Sequence, residues 1–254
     1  MELKALLPSY NSDINVLLFD LDDTLVKITN WELLKFIFYI KAMVRFRKII
    51  SPFLFYKYFS SAVKKVKANN SNIKNGLLFK ELLANYSNKS IHLIEKTIQD
   101  FIQKDFVKLK KFFRPIPEAK KAIKLAQKLG YKLVLATNPT MPLETVSLRI
   151  KWANLDKIKF NYITHSDIMT RCKPNPEFYF ELLHLLKIKN TQCLMVGNDF
   201  IKDFSAQKAG IPTFIINSRH SRKQLKYINK NEIEGWGSYQ DLSKWLKNNK
   251  KGNH

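Results

Sequence analysis

Cysteine and glycine are both scarce in this chain of 254 residues, which has two cysteines, Cys172 and Cys193, and seven glycines. Two cysteines are too few for a disulfide framework, and no other cysteine could complete a metal-binding set. Both are therefore predicted to be small side chains that are buried fully or in part. The low glycine content leaves few glycine-dependent tight turns, which favours a helix-rich protein.

Two kinds of apolar segment are also missing. The first 20 residues lack the basic stretch, apolar core and small-residue cleavage site of a secretion signal, which predicts a cytoplasmic protein. The most apolar window, residues 31–59, contains six Lys and Arg residues, so it falls well short of the roughly 20 apolar residues that a spanning helix needs. No transmembrane segment is expected. A hydrophobic content of 45% is still ample for one or two folded domains.

Acidic residues are few relative to basic ones, with 21 Asp and Glu against 44 Lys and Arg and a net charge of +23. The net charge is −4 for residues 1–26, +14 for 27–114 and +13 for 115–254. Such a field would concentrate anionic substrates, and it could equally attract nucleic acid or anionic lipid. A lysine-rich surface that only solvates helices gives the same excess, so charge alone does not decide between them.

Short apolar runs alternate with amphipathic segments over much of the chain. The predicted strands cover residues 16–19, 132–136, 161–163, 194–196 and 213–216. Helices are predicted from Pro117 to just before Gly130, over residues 177–186, up to Gly210, and over residues 235–246, with residues 247–254 as a solvated tail. This alternation predicts an α/β fold with a doubly wound parallel sheet covered by helices on both faces.

One long segment, residues 27–114, has helical texture without this alternation. Breaks are predicted at Pro52 and at the polar run 69–75. The strand at 16–19 most economically joins the later sheet, which makes the helical segment an insertion. The predicted division is therefore an α/β core of residues 1–26 and 115–254, with a helical cap of residues 27–114.

Four polar motifs follow predicted strands or lie near the sheet edge where the strands end. Open α/β sheets bind ligands at that edge. The motifs are Phe19–Leu25, Ala136–Asn138, Lys173–Pro176 and Val196–Asp203. Each has an ordinary structural explanation in isolation, such as a helix cap, a turn or a solvated loop lysine. Coincidence across all four in this order is improbable, and together they predict a site that handles phosphate and a metal ion.

The chemistry of the motifs fits phosphoryl transfer. Asp20 can attack phosphorus as a nucleophile while Asp22, two residues on, transfers the proton. Asp199 can supply a further anionic ligand for Mg²⁺, a cation that prefers oxygen ligands. Lys173 adds positive charge, and Thr137 and Asn138 add hydrogen-bond donors for the phosphoryl oxygens.

These residues resemble the haloacid dehalogenase superfamily of phosphohydrolases, over about residues 13–26 and 112–246. The resemblance implies that Asp20 forms an aspartyl-phosphate, that Asp22 is the general acid/base and offers a backbone carbonyl to Mg²⁺, and that Asp199 completes the metal ligands. It further implies roles for four supporting residues. Thr137 binds the phosphoryl group, Lys173 balances charge, Asp203 orients Lys173 or a metal-bound water, and Asn198 lies beside the ligands.

Two residues depart from the usual pattern of this family. Asp23 replaces the glycine that often follows the second aspartate, although aspartate also occurs there. Cys172 precedes Lys173, and the sequence suggests no mechanism for it. An all-helical insertion between the first two motifs resembles the subgroup with a helical (C1-type) cap, which mostly hydrolyses small soluble phosphomonoesters.

The insertion begins with a helix in which aromatic and basic residues alternate. One interpretation is an amphipathic surface that binds an anionic membrane or stacks on nucleic acid. The other is ordinary packing through Phe36, Tyr39, Ile40 and Met43, which share one helical face.

The sequence thus predicts a Mg²⁺-dependent phosphatase that hydrolyses a small phosphomonoester through an aspartyl-phosphate. A phosphomutase needs the same four motifs and is the nearest alternative. A dehalogenase would leave Asp22 and Asp199 without a purpose. A basic protein that binds membrane or nucleic acid is the alternative outside enzymes.

Overall fold

Six strands form one parallel sheet in the computed structural model, which describes residues 5–9, 11 and 13–251. The eight strands in chain order are β1 (Val16–Phe19), β2 (Val26–Ile28), β3 (Phe113–Pro115), β4 (Lys132–Leu135), β5 (Tyr162–Ile163), β6 (Cys193–Gly197), β7 (Thr213–Ile216) and β8 (Trp236–Gly237). The sheet order is β5-β4-β1-β6-β7-β8, and all its pairs are parallel. β1 lies near the centre, so its carboxyl end adjoins those of β4 and β6.

Helices cover both faces of this sheet. Alternate strand side chains enter two separate cores, Leu17 and Phe19 on one side and Val16 and Leu18 on the other. The helices of the core in chain order are α5 (Pro117–Lys128), α6 (Leu143–Trp152), α7 (Glu177–Leu186), α8 (Arg219–Gln224) and α9 (Tyr239–Lys251). Apolar residues of α5, α6 and α9 join the first core, and those of α7 join the second. The predicted doubly wound α/β fold is confirmed.

Four helices lie between β2 and β3. They are α1 (Trp31–Phe46), α2 (Pro52–Lys67), α3 (Asn75–Ser87) and α4 (Ile91–Lys104), and a 3₁₀ turn follows at Phe106–Phe112. We call residues 31–112 the helical insertion. β2 and β3 pair antiparallel, with Ile28 opposite Phe113, so the chain enters and leaves the insertion at adjacent positions. The proposed domain boundaries at 26/27 and 114/115 remain a prediction, and this ribbon lies across them.

Aromatic contacts organise the inside of the insertion. The ring of Phe59 lies 6.1 Å from that of Phe38, 6.3 Å from Phe46, 5.1 Å from Phe55 and 5.2 Å from Phe79, centroid to centroid. These edge-on and tilted pairs join α1, α2 and α3. Ring contacts therefore connect three of the four helices of the insertion, alongside buried aliphatic residues such as Leu83 and Ile94.

The ends of the sequence-predicted elements need several corrections. Pro52 begins α2, and residues 68–74 interrupt the helices, as predicted. A further break at Asn88, with φ of 51°, was not predicted, nor were β2, β3, α6 and α8. The helix expected to end at Gly210 is a 3₁₀ turn over Phe204–Ala209. Strands of two or three residues carry too little periodicity to be recognised.

The C-terminal prediction was also wrong in part. Residues 235–246 do not form one helix, because Trp236 and Gly237 form the edge strand β8 and Trp236 also pairs with Leu6. The helix runs instead over Tyr239–Lys251 and includes most of the expected solvated tail. Asn249 is buried there and its Oδ1 accepts from the backbone N–H of Asn11. Residues 252–254 lie outside the described part of the chain.

The predicted packing face of α1 was wrong for two of its four residues. Phe36 is 61% exposed and Ile40 is 41% exposed, whereas Tyr39 and Met43 are half-buried. The buried face is displaced around the helix and contains Leu34, Ala42 and Phe46. Within the described residues, none of the helices has both the length and the apolar character to span a membrane.

Candidate active site

A buried lysine joins two aspartates at the carboxyl edge of the sheet. The Nζ of Lys173 lies 3.1 Å from Oδ1 of Asp20, directly after β1, and 2.7 Å from Oδ1 of Asp203, after β6. Burial would lower the pKa of Lys173, but the two carboxylates hold it above its usual value. Burial raises the pKa of Asp20 to about 7, against the opposing effect of Lys173. Lys173 is therefore a cation at neutral pH, and the pKa of Asp20 lies close to neutral pH.

Asp203 is the anchor of this arrangement. Its Oδ2 accepts from the backbone N–H groups of Asn198 and Asp199, at 2.9 and 3.1 Å. The loop that follows β6 therefore wraps around one carboxylate, whose other oxygen holds Lys173. A Cβ at Gly197 would lie 2.2 Å from the carboxyl carbon of Asp203, so this close approach requires glycine.

Asp22 pairs with an arginine that sequence reasoning missed. Nη1 of Arg149 lies 2.5 Å from Oδ2 of Asp22, and both are largely shielded from solvent. Burial raises the pKa of Asp22, and the guanidinium opposes that rise. The other oxygen, Oδ1, is buried and has no hydrogen-bond partner among the described residues. Arg149 lies on α6, which no periodic pattern predicted, so no sequence signal marked it.

Asp23 has a structural role that accounts for its place in the first motif. Its φ is 58°, in the left-handed region that glycine adopts readily and aspartate tolerates. Its Oδ1 accepts from the backbone N–H of Ile28 at 2.8 Å, and its Oδ2 accepts from Nε1 of Trp31 at 2.5 Å. The departure from glycine thus links the loop after β1 to the first helix of the insertion.

The second motif lies after β4, beside Lys173. Thr137 is buried, and its carbonyl accepts from Oγ1 of Thr164 at 2.6 Å. Nδ2 of Asn138 donates to the carbonyl of Lys173 at 3.3 Å, while Oδ1 of Asn138 is buried without a partner in the described residues. The loop thus brings a threonine and an asparagine to the edge that carries Asp20.

Asp199 is surrounded by donors. Its Oδ1 accepts from Nε2 of Gln224 at 3.1 Å, and its Oδ2 lies 3.2 Å from both Nζ of Lys202 and Nε2 of His220. Burial alone would raise the pKa of Asp199, but these groups hold it well below its usual range. The pKa of His220 is raised, chiefly by its hydrogen bond to Asp199. Asp199 is therefore an anion at neutral pH, with its oxygens engaged by side chains that would have to yield to a metal ion.

The donor chemistry of the edge fits a magnesium ion. Within residues 5–9, 11 and 13–251, no three His, Cys, Asp or Glu side chains converge to hold a metal. A site made of the Asp20 and Asp199 carboxylates and the Asp22 backbone carbonyl needs only two such side chains. All three donors are oxygens, which Mg²⁺ prefers, and waters complete its shell. The set predicted from the sequence is compatible with the structure on this basis.

A second contact between the helical insertion and the core involves Cys172, for which the sequence suggested no role. Nδ2 of Asn75, the first residue of α3, lies 3.4 Å from Sγ of Cys172 and donates to the carbonyl of Pro139 at 3.2 Å. The backbone N–H of Asn75 donates to the carbonyl of Met169 at 2.9 Å. Both cysteines are buried as expected. Cys172 thus lies at a junction one residue before Lys173.

The chain matches the haloacid dehalogenase-like hydrolase family over residues 14–210, and it belongs to that family of hydrolases. It is 27% identical to a glyceraldehyde 3-phosphate phosphatase of Pyrococcus abyssi over 205 residues, which cover 79% of this chain and 80% of that relative. It is 32% identical to the pyrophosphatase PpaX of Bacillus cereus over 91 residues, 36% of this chain and 41% of the relative. The match thus spans less than half of that pyrophosphatase.

Solved structures share the fold at low identity. The structure of a HAD phosphatase from Thermococcus onnurineus has a TM-score of 0.56 at 18% identity, covering 92% of this chain and 98% of that one. An L-2-haloacid dehalogenase from Xanthobacter autotrophicus has a TM-score of 0.52 at 12% identity, with coverage of 92% and 98%. Phosphatases and dehalogenases therefore share this architecture, and the side chains must distinguish between them.

Proposed function

We propose that this protein is a Mg²⁺-dependent phosphatase that hydrolyses a phosphomonoester through a phosphorylated Asp20. The observation that carries the proposal is the buried contact of Lys173 with Asp20 and Asp203, next to Asp22. A buried lysine held by two carboxylates is a costly arrangement for stability alone. It provides fixed positive charge where a phosphate dianion would meet the Asp20 carboxylate.

In the first step, a carboxylate oxygen of Asp20 attacks phosphorus and the bond from phosphorus to the ester oxygen breaks. Asp22 donates its proton to that leaving oxygen, and burial, which raises the pKa of Asp22, favours the protonated form that this step needs. Lys173, Thr137 and Asn138 hold the phosphoryl oxygens as charge shifts onto them.

In the second step, Asp22 is a carboxylate and takes a proton from water as that water attacks phosphorus. The bond between Asp20 and phosphorus breaks, which releases inorganic phosphate and returns Asp22 to its protonated form. Arg149 keeps Asp22 oriented between the two steps. A bound Mg²⁺ would be held by Asp20, Asp199 and the Asp22 carbonyl, and would neutralise charge on the phosphoryl group.

The side chains of the site and a related phosphatase favour phosphate ester hydrolysis over dehalogenation and over phosphomutase activity. A dehalogenase has no use for the acid Asp22 with its arginine or for Asp199 among basic groups. A phosphomutase would use the same residues and differ only in transferring the phosphoryl group to a second hydroxyl. A relative of this chain is a glyceraldehyde 3-phosphate phosphatase, which supports hydrolysis of a small phosphomonoester.

The test is release of inorganic phosphate from p-nitrophenyl phosphate, with Mg²⁺ or with EDTA. We expect Mg²⁺-dependent turnover that Asp20→Asn abolishes. The matched control is Asp13→Asn, the same substitution at an exposed aspartate seven residues earlier.

In Asp22→Asn, the p-nitrophenolate group still leaves because it needs no proton, but water is not activated for the second step. Acid-quenched protein should then gain one phosphoryl group by mass. Turnover that survives Asp20→Asn, or that is equal in EDTA, would refute the proposal.

We propose a second function for the insertion surface, binding to an anionic lipid surface. Leu33, Phe36, Ile40 and Val44 form an exposed apolar stripe on α1, and Phe53, at the start of α2, is 96% exposed. The chain has eleven Lys and Arg residues but no acid between positions 33 and 80. Three of these cations pair with acids outside that range, Lys35 with Glu32, Arg45 with Asp105 and Lys80 with Glu95. The remaining net positive charge beside exposed apolar side chains suits an anionic lipid interface.

Sedimentation with vesicles tests this second proposal. We expect binding to phosphatidylglycerol vesicles at low salt, no binding to phosphatidylcholine vesicles, and weaker binding for Phe36→Ser. Phe180→Ser, at an equally apolar exposed aromatic on α7, is the matched control and should bind normally. Absence of sedimentation, or binding to an RNA oligonucleotide but not to vesicles, would overturn it.

A further inference from the structure

A large cavity lies between the helical insertion and the core. Its volume is about 620 Å³, within the range of small-molecule sites. All four helices of the insertion contribute to its walls, and the core contributes residues 140–142, 144–145 and 166–167. Close-packed interiors leave few voids larger than a water molecule. A cavity of this size at this junction therefore requires an explanation.

The deep part of the cavity is apolar and aromatic. Phe46, Phe59 and Phe101 line it and are buried, whereas charged lining residues such as Lys35 and Asp167 are exposed. None of the buried side chains that line it, all in the described part of the chain, is charged. The buried part of the lining is therefore uncharged and rich in rings, and the charged lining side chains are exposed or half-buried.

The few polar groups among the buried lining residues are already paired. Oγ1 of Thr145 donates to the carbonyl of Pro142 at 2.8 Å, and Oγ of Ser166 donates to Asp167 at 3.2 Å. A polyhydroxyl or nucleotide group placed there would lose its hydrogen bonds to water without replacement, whereas apolar surface would gain by leaving water.

The walls are preformed rather than loose. The rings of Phe38 and Phe101 lie 5.2 Å apart at 80°, and those of Phe59 and Phe79 lie 5.2 Å apart at 81°, both edge to face. Contacts of this type fix ring orientation between neighbouring helices. A wall fixed in this way needs little rearrangement on binding, which reduces the cost of binding a ligand.

The cavity adjoins the candidate active site through one short loop. Thr140 and Met141 line it, and they closely follow Thr137 and Asn138. Three residues span at most about 11 Å even when fully extended, and here the N–H of Thr140 turns back to the carbonyl of Asn138 at 2.9 Å. Thr137 therefore lies within about 11 Å of Thr140, which lines the cavity, and a substrate group of that length could join a phosphate at Asp20 to the cavity.

We infer that the cavity binds the alcohol part of the substrate, and that this part is an apolar alkyl or aryl group. The inference rests on the proposed phosphatase function and specifies its substrate class. The phosphate would lie among Asp20, Thr137 and Lys173, with the apolar group extending past Thr140 among the rings. Polar phosphates such as glycerol 3-phosphate would fill only the charged opening and would be poor substrates.

The test compares ethyl, butyl, hexyl and octyl phosphate with glycerol 3-phosphate, with p-nitrophenyl phosphate as a reference for turnover. We expect kcat/KM to rise about fourfold per added methylene until the cavity is full, the fold-change that corresponds to about 0.8 kcal/mol per buried methylene. Ala42→Leu should abolish the rise, since Ala42 is a buried lining residue of α1. Ala84→Leu changes a buried alanine of α3 that does not line the cavity, and should preserve it.

Calorimetric binding of hexyl phosphate to the Asp20→Asn protein separates this inference from the proposed function. Tighter binding of hexyl than of ethyl phosphate, lost in the Ala42→Leu background, supports the cavity even if turnover fails. Turnover of p-nitrophenyl phosphate with no chain-length dependence would overturn the inference and leave the phosphatase proposal standing. Absence of both turnover and chain-length-dependent binding would overturn both. Thermal melting of each variant checks that it is folded.

Discussion

Replacing Arg149 by methionine would isolate the effect of its buried charge. Met has a similar reach but no charge and adapts to irregular packing. The side chain of Arg149 is 8% exposed and that of Asp22 is 25% exposed. Removing one partner of a buried pair typically costs about 3 to 5 kcal/mol. We expect a loss of unfolding free energy of about 3 kcal/mol at pH 8, the low end because Asp22 is partly exposed.

The loss should depend on pH. Folding raises the pKa of Asp22, so the stability that its proton contributes is complete below the unfolded pKa and is lost as pH rises through the folded pKa. Removing Arg149 raises the folded pKa further, because the guanidinium opposes the rise. As pH falls and Asp22 gains its proton, the loss should decrease towards about 1 kcal/mol, the value of the hydrogen bond from Nε of Arg149 to the carbonyl of Thr145.

Urea unfolding in EDTA at pH 5 and pH 8 measures how much unfolding free energy Arg149→Met removes at each pH. The control is the same substitution in an Asp22→Asn background, where no carboxylate is left to be stranded. There the loss should be about 1 kcal/mol at both pH values. Equal losses for Arg149→Met at pH 5 and pH 8, or an undiminished loss in the Asp22→Asn background, would show that the pair does not carry the charge coupling described above.

Three further predictions follow from other contacts. Gly197→Ala should displace the Asp203 carboxylate, cost about 1 to 3 kcal/mol of stability in a melting experiment and abolish turnover. Gly130→Ala, at a φ of 79° with no neighbour within 4 Å, should melt lower but keep its activity, and equal turnover of the two would contradict this reasoning. Burial raises the pKa of both cysteine thiols to about 12, so a disulfide reagent at pH 8 should label none in the folded protein and two in urea. Asn75→Ala should cost about 1 to 3 kcal/mol by leaving the buried carbonyl of Pro139 without its donor, and an unchanged urea midpoint would show that this junction is not stabilising.

The sheet and the positions of the four motifs were predictable because each depends on local sequence. Residues 16–19, 177–186 and 213–216 match the bounds of their elements, since continuous apolar runs and helical periodicity mark them clearly. The contact of Lys173 with Asp203 was expected from the family resemblance, whereas the place of Asp20 follows from the end of β1. Whether these residues have the predicted catalytic roles remains a prediction for the experiments above.

The parts that could not be predicted depend on contacts distant in sequence. Arg149 reaches Asp22 across 127 positions, and Asn75 reaches Cys172 across 97. No local pattern encodes such pairs. The exposed positions of Phe36 and Ile40 were mistaken for packing positions because a stripe shows amphipathic spacing but does not say which side meets a neighbour. The lining of the cavity could not be predicted either, because it combines residues from four helices that are distant in sequence.

The adjacent ends of the helical insertion bear on how this chain could acquire new substrates. β2 and β3 place Ile28 opposite Phe113, so the entire helical insertion begins and ends at neighbouring positions on the core. Recombination between relatives at these two positions would exchange specificity while leaving the chemistry untouched, provided that the junction with Asn75 is matched in the recipient. Graft experiments should therefore transfer Pro139, Met169 and Cys172, the core residues that Asn75 contacts, together with the insertion.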